Sequence, residues 1–412
     1  MKIEIITVGD EILIGQIIDT NSAWMAAELT RHGFEIVAVT SVGDNAENIS
    51  QAIDIAFSRA DIVLMTGGVG PTKDDITKKT LCDYFGTRLI FSNAVLENIT
   101  QLFAHKNYTL NELTRNQAFV PENCTVIQNK TGTAPLLWFE RKDKILVSMP
   151  GVPFEMKTAM TDEIIPRLKK RFLSIDYLKS SFLVSGITES GLAIRLQDFE
   201  AQLPENFSLA YLPSYGLIRL RLSVRGKENL PEMRFQKRKL RKVLRDFLVA
   251  ESDEPLEALL GEALRKERLT LSTAESCTGG NIAHRITLVP GASEYYKGSI
   301  VAYHNDVKTS LLKVDKDVIK THGVVSREVV EQMAQNASEQ LKTECSIAVS
   351  GIAGPDGGTP EKPVGTVWIC TRTNRETVTQ KYQFGISREE NINRTTNTAI
   401  LQMIKMLDKY TF

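Results

Sequence analysis

Ile62-Val63-Leu64-Met65-Thr66-Gly67-Gly68-Val69-Gly70-Pro71-Thr72-Lys73-Asp74-Asp75-Ile76-Thr77 decides the fold of the first third of the chain. A short apolar run that leads into glycines reads as a strand delivering the chain into a loop. The glycines let the backbone come close to a ligand, and N–H groups at the start of a following helix can bind phosphate. The spacing is neither G-x-x-x-x-G-K-[ST] nor G-x-G-x-x-G, so neither a P-loop ATPase nor a Rossmann dinucleotide site follows from it. Upstream, β-rich Ile3 to Val8 and Glu35 to Val42 alternate with helical Ser22 to His32 and Asn48 to Arg59. Strands separated by helices of that length build a parallel sheet covered on both faces, with ligands at the carboxyl ends of the strands. The expectation is a doubly wound α/β domain over residues 1–172, closed by a strand Lys144 to Met149 and the turn Pro150-Gly151-Val152-Pro153.

Beyond it the pattern changes. Residues 173–250 carry a short strand, a helix from Ser190 to Gln202, the alternating Leu217 to Val224 and a basic helix Glu232 to Leu248, which together read as a small α+β module. The charges of Arg234 to Arg245 fit a solvated helix face whose other side carries Phe235, Leu240, Val243, Leu244 and Phe247. After the polar linker Glu251 to Pro255, residues 255–412 start with an amphipathic helix and again alternate strands and helices, which gives a second α/β domain.

With 412 residues, two to three domains are expected at roughly 150 residues each. Lys+Arg and Asp+Glu both number 50, and this balance argues against generic nucleic-acid binding through phosphates, although a local patch fits inside a neutral total. Apolar runs are far shorter than the ~20 residues that span a bilayer. The opening Met1 to Asp10 reads as a strand and not as a signal peptide. Five scattered cysteines without a C-x-x-C pair fit neither a disulfide framework nor a thiolate zinc site, and the histidines lack metal-binding spacing. A reducing cytoplasm is the expected compartment.

Two sets of residues carry chemistry. At strand ends of the first domain stand Gly9-Asp10-Glu11, then Asn21, then Gly67, Gly68, Gly70, Thr72 and Asp75, and finally Pro150-Gly151. Asp10 with Asp74 or Asp75 could hold a divalent cation against a pyrophosphate; equally, Asp74 and Asp75 could complement a helix dipole and Asn21 could cap a helix. In the last domain, Thr273-Ala274-Glu275-Ser276-Cys277-Thr278-Gly279-Gly280 joins a strand to a helix starting around Gly279. Ser276 and Cys277 are both candidate nucleophiles there, close to backbone donors, and each also has an inert reading as a cap or a packed thiol. Tyr303 and Lys308 follow, and a desolvated lysine can act as base for a serine. Ser350-Gly351-Ile352-Ala353-Gly354 opens a further glycine-rich loop.

Taken together these motifs carry a resemblance. Gly9-Asp10-Glu11-Ile12-Leu13, Thr66 to Asp75 and Met149 to Pro153 resemble the molybdopterin-binding-like domain of the CinA family of competence/damage-inducible proteins. Ser208 to Pro213 and the Arg-rich strand resemble its KH-like module, although no clear G-x-x-G is present. Ala274 to Gly280, Tyr303, Lys308, Ser350 to Gly358 and Lys362 to Val367 look like its C-terminal domain. That resemblance implies a nicotinamide-nucleotide amidase turning nicotinamide mononucleotide (NMN) into nicotinate mononucleotide and ammonia. Ser276 would be the nucleophile, Lys308 and Tyr303 would move protons, and Thr278, Gly279, Gly280, Gly351 and Gly354 would surround the substrate, without a cofactor. For the first domain it implies a metal-dependent ADP-ribose pyrophosphatase, with Gly9, Asp10, Glu11, Asn21, Gly67, Gly68, Gly70, Thr72, Asp75, Pro150 and Gly151 at the nucleotide and Asp10 and Asp74 at a divalent ion such as Mg²⁺. The same resemblance implies a homodimer with nucleotide substrates; the short apolar runs and balanced charge argue against membrane and nucleic-acid partners. The competing readings are a molybdopterin-binding or cofactor-assembly protein, and a competence or DNA-damage response factor.

Overall fold

Alternation of neighbouring residues between two cores defines the first sheet. The structure is a computed structural model, and it describes residues 1–72, 75–104, 110–172 and 176–408. In the wholly buried strand Ile62–Thr66, Ile62 and Leu64 join one apolar cluster with Ile3, Ile5 and Val147, while Val63 and Met65 join another with Ile6, Val8 and Leu146. A strand whose successive side chains enter opposite cores is covered on both faces, as the double winding requires. Each such aliphatic side chain contributes roughly 1.5–3 kcal/mol by leaving water. The sheet runs in the order Glu35–Val42, Lys2–Val8, Ile62–Thr66, Lys144–Met149, Leu136–Arg141, Thr125–Ile127. Its first four strands are parallel, and the last two add an antiparallel edge that the sequence pattern did not disclose.

Contacts gather the chain into two units, Met1–Leu178 with Val224–Met233, and Lys179–Ser223 with the chain from Arg234 onward. The small sheet, ordered Phe207–Ser214, Leu217–Arg225, Tyr177–Ser185, Leu248–Ala250, lies largely in the second unit. The basic helix is Leu230–Leu244 and stops short of its expected end at Leu248. A turn with Phe247 N–H on the Leu244 carbonyl closes it, and Leu248–Ala250 pairs antiparallel with Tyr177–Ser185. Apolar residues with strand propensity, offered an open sheet edge, outweigh the helical periodicity there.

The remaining sheet of the second unit is ordered Tyr296–Val301, Leu271–Glu275, Cys345–Gly351, Thr366–Arg372, Thr377–Gln383. Its first three strands are parallel, so Glu275, Val301 and Gly351 end at one edge. Among the described residues no helix is long and apolar enough to cross a membrane.

Candidate functional sites

The parallel strands of the first unit end in four loops that meet around one cleft of about 240 Å³. Gly9 donates its N–H to Val42 O, and Gly67 donates to Met149 O, so the loops are tied to one another's strands at 3.0 and 3.2 Å. Gly67 has φ +110°, and a Cβ there would lie 2.1 Å from the Val8 carbonyl oxygen, so no other residue fits this crossing. Thr66 Oγ1 donates to Pro150 O, and Asn21 Nδ2 donates to Gly151 O, both at 2.7 Å. Asp19, not Asn21, caps the Thr20–Arg31 helix, through Ser22 N–H. Asn21 is thereby left to fasten the Pro150-Gly151 turn.

Among the expected residues, Gly9, Glu11, Asn21, Gly67, Gly68, Asp75 and Gly151 line the cleft. Asp75 turns inward on its own loop, accepting from Gly70 N–H at 2.7 Å, Thr72 N–H at 2.9 Å and the Thr72 hydroxyl. Asp74 lies outside the described residues. A residue not read from the sequence, Asp44, joins Asp10: Asp10 N–H donates to Asp44 Oδ2 at 3.1 Å, and Asp44 N–H donates to Asp10 Oδ1 at 3.2 Å. The signal for it was present, because Gly43-Asp44 repeats Gly9-Asp10 at the end of the neighbouring strand. Among the described residues no three Asp, Glu, His or Cys side chains converge as a closed metal site. Asp10 and Asp44 are the paired carboxylates at these strand ends that could serve as oxygen ligands to a hard cation.

At the other sheet edge, Ser276 follows the Leu271–Glu275 strand, and its N–H donates to Val349 O at 3.1 Å. Glu275 is fully buried and accepts four hydrogen bonds: from Thr278 Oγ1 at 2.7 Å, Gly280 N–H and Ile282 N–H at 3.0 Å, and Ala283 N–H at 2.8 Å. The helix after the turn is Asn281–Thr287, two residues later than expected, because this carboxylate folds Thr278 to Gly280 into its cap. Cys277 is buried, and burial pushes its thiol up to about 12, which leaves almost no thiolate near neutral pH.

Lys308 lies on the Asn305–Ser310 helix and is 2% exposed. Its Nζ donates to Ala302 O at 2.8 Å and to Tyr303 O at 3.3 Å. Ala302 N–H in turn donates to Glu275 O at 2.8 Å, which ties the lysine's anchor to the backbone next to Ser276. Burial pulls the Lys308 ammonium below its usual value of 10.5, partly opposed by Cys277. The Tyr303 side chain is exposed and accepts from Arg388 Nη2 at 2.6 Å, while Arg388 Nη1 donates to Gly354 O at 2.7 Å. Arg388, at the start of the Arg388–Asp408 helix, therefore joins Tyr303 to the glycine-rich loop; nothing local in the sequence pointed to it. Gly351 ends its strand beside Val367, and buried Asn391 holds the loop through Ala353 O at 2.9 Å.

Two family models match the chain: the CinA C-terminal domain over residues 253–407, and the probable molybdopterin binding domain over residues 4–170. A CinA-like protein of Cytophaga hutchinsonii is 44% identical over 406 residues, covering 98% of this chain and 97% of that one. Another, from Flavobacterium psychrophilum, is 43% identical over 414 residues and covers 99% of both. Among solved structures, the competence/damage inducible protein CihA from Agrobacterium tumefaciens is 36% identical. The match covers 38% of this chain and 99% of that one, with a TM-score of 0.36.

Proposed function

The chain belongs to the CinA family, and from that premise we propose that its C-terminal part hydrolyses NMN to nicotinate mononucleotide and ammonia. What carries the reading is a buried lysine of lowered proton affinity, anchored through the backbone next to Ser276, while the neighbouring thiol is shut in as the neutral form.

In this mechanism the neutral Lys308 amine takes the Ser276 hydroxyl proton as Oγ adds to the carboxamide carbon. The proton is then delivered to the departing nitrogen, which leaves as ammonia. Water cleaves the resulting ester by the same route and restores Ser276, so one amide bond is exchanged for one carboxylate without an external oxidant or reductant. Tyr303 assists the proton transfers, and Arg388 supplies a cation for the substrate phosphate next to the Gly351 to Gly354 loop. Replacing Ser276 with Ala tests the assignment. Ammonia release from NMN is expected to vanish while AMP still forms from ADP-ribose; loss of both from a folded variant contradicts two independent sites.

For the N-terminal cleft the reading is a metal-dependent ADP-ribose pyrophosphatase. It is favoured over simple pterin binding by the pairing of Asp10 with Asp44, the latter a lining residue of the glycine-rich cleft. Asp10 and Asp44 would hold the ion, which neutralises pyrophosphate charge when bound. Gly67 and Gly68 admit the phosphates, and Asn21 and Thr66 keep the Pro150-Gly151 turn in place around them.

A further inference from the structure

The turn after Ser276 leaves an unequal set of backbone donors. The N–H groups of Gly280, Ile282 and Ala283 all point at the Glu275 carboxylate. Those of Gly279 and Asn281 bond to Ser276 O and Thr278 O at 3.1 Å each, and that of Ser276 bonds to Val349 O. Within this turn, and among the described residues, the N–H groups of Cys277 and Thr278 are the ones without an acceptor on another residue, and that of Cys277 lies against its own thiol sulfur. Their residues are 5% and 4% exposed, and a buried amide with no partner beyond its own residue is rare enough to need a cause. The positive end of the Asn281–Thr287 helix already faces an anion, the Glu275 carboxylate, so a substrate anion in the same place would meet like charge. The helix start is thereby removed as an anion site, and the two amides beside the nucleophile remain.

We propose that the N–H groups of Cys277 and Thr278 are the oxyanion hole of the amidase, and that Glu275 is the positioning residue that holds them there. The inference rests on the amidase reading above. As Ser276 Oγ bonds to the carboxamide carbon, the carbonyl π pair moves onto oxygen, and that oxygen accepts from both amides. When the C–N bond breaks, the pair returns to restore the C=O of the ester, and the nitrogen takes its proton from Lys308. The amide of the residue following a nucleophile on a strand-to-helix turn is well placed for this role. Thr278 is fixed by its own hydroxyl on Glu275 Oε2, so its N–H cannot rotate away.

The test uses the intact wild-type protein, ¹⁵N-labelled, titrated with nicotinate mononucleotide, whose carboxylate places an oxygen where the amide oxygen of NMN would lie. The Cys277 and Thr278 amide protons are expected to move downfield, while those of Gly280, Ile282 and Ala283 stay in place. Shifts confined to the latter three overturn the proposal in favour of the helix start. Glu275→Gln keeps the shape but presents an amide to three N–H donors; kcat for NMN is expected to fall about 10²- to 10³-fold with KM nearly unchanged. A loss residing in KM overturns the positioning role, and if this variant does not fold, the wild-type titration decides alone. Wild-type protein that hydrolyses NMN with unmoved Cys277 and Thr278 amides sinks only this inference. Protein that neither hydrolyses NMN nor binds the product sinks the amidase reading with it.

Discussion

Lys308→Met separates what the lysine does for chemistry from what it does for stability. Methionine nearly matches the stem but removes the ammonium, whose burial penalty is several kcal/mol for an ion taken out of water. The substitution also strips a donor from Ala302 O and Tyr303 O, now bonded at 2.8 and 3.3 Å, at about 1–3 kcal/mol for each carbonyl left buried and unpaired. The opposing effects are similar in size, so the net change at neutral pH is expected to lie within about 2 kcal/mol, of either sign. Catalysis has no such offset: losing the general base is worth roughly 10²–10⁴ in rate. The pH dependence follows from the direction of the shift. The native lysine releases its proton below 10.5, and the unfolded one keeps it up to that range. The unfolded state therefore binds more protons between the two values, and wild-type stability gains with rising pH there. kcat/KM for NMN should rise through the same lowered value and level off before 10.5. Urea unfolding across that range, paired with ammonia release, reads both quantities. A folded Lys308→Met protein within tenfold of wild-type activity, or a wild-type profile without that rising limb, refutes the reasoning.

Cys277→Ala should retain most NMN hydrolysis, because the thiol is held neutral, and it removes any sensitivity to thiol reagents that reach the site; an inactive, folded Cys277→Ala beside an active Ser276→Ala would reverse the nucleophile assignment. Gly67→Ala, with a Cβ forced to 2.1 Å from Val8 O, should cost about 2 kcal/mol or more in thermal or urea unfolding and abolish AMP formation from ADP-ribose. Unchanged stability would show that the crossing of the two strand ends is not as tight as described.

Much of this architecture is legible because it repeats locally. Strand, glycine turn and helix recur at Val8, Thr66 and Met149, and each repeat delivers its loop to one cleft. What stayed hidden depended on distance or on burial. Arg388 meets Tyr303 across 85 positions of sequence, which no spacing rule reaches. Glu275 reads as one more polar residue at a strand end, and only the fold shows that four donors converge on it in the interior. Asp75 reads as a ligand residue beside a phosphate loop, and only the fold shows that its oxygens also accept from Gly70 and Thr72 of that loop. The end of the basic helix was lost to a sheet edge that a one-dimensional pattern cannot display.

The proposed function puts two separate hydrolytic sites on one chain, only one of which uses a metal. Purified protein offered NMN and ADP-ribose, each with Mg²⁺ and with chelator, tests it most directly by product identification. The expected result is nicotinate mononucleotide and ammonia under both conditions, and AMP with ribose 5-phosphate only when the ion is present. NMN left intact in both conditions would contradict the account.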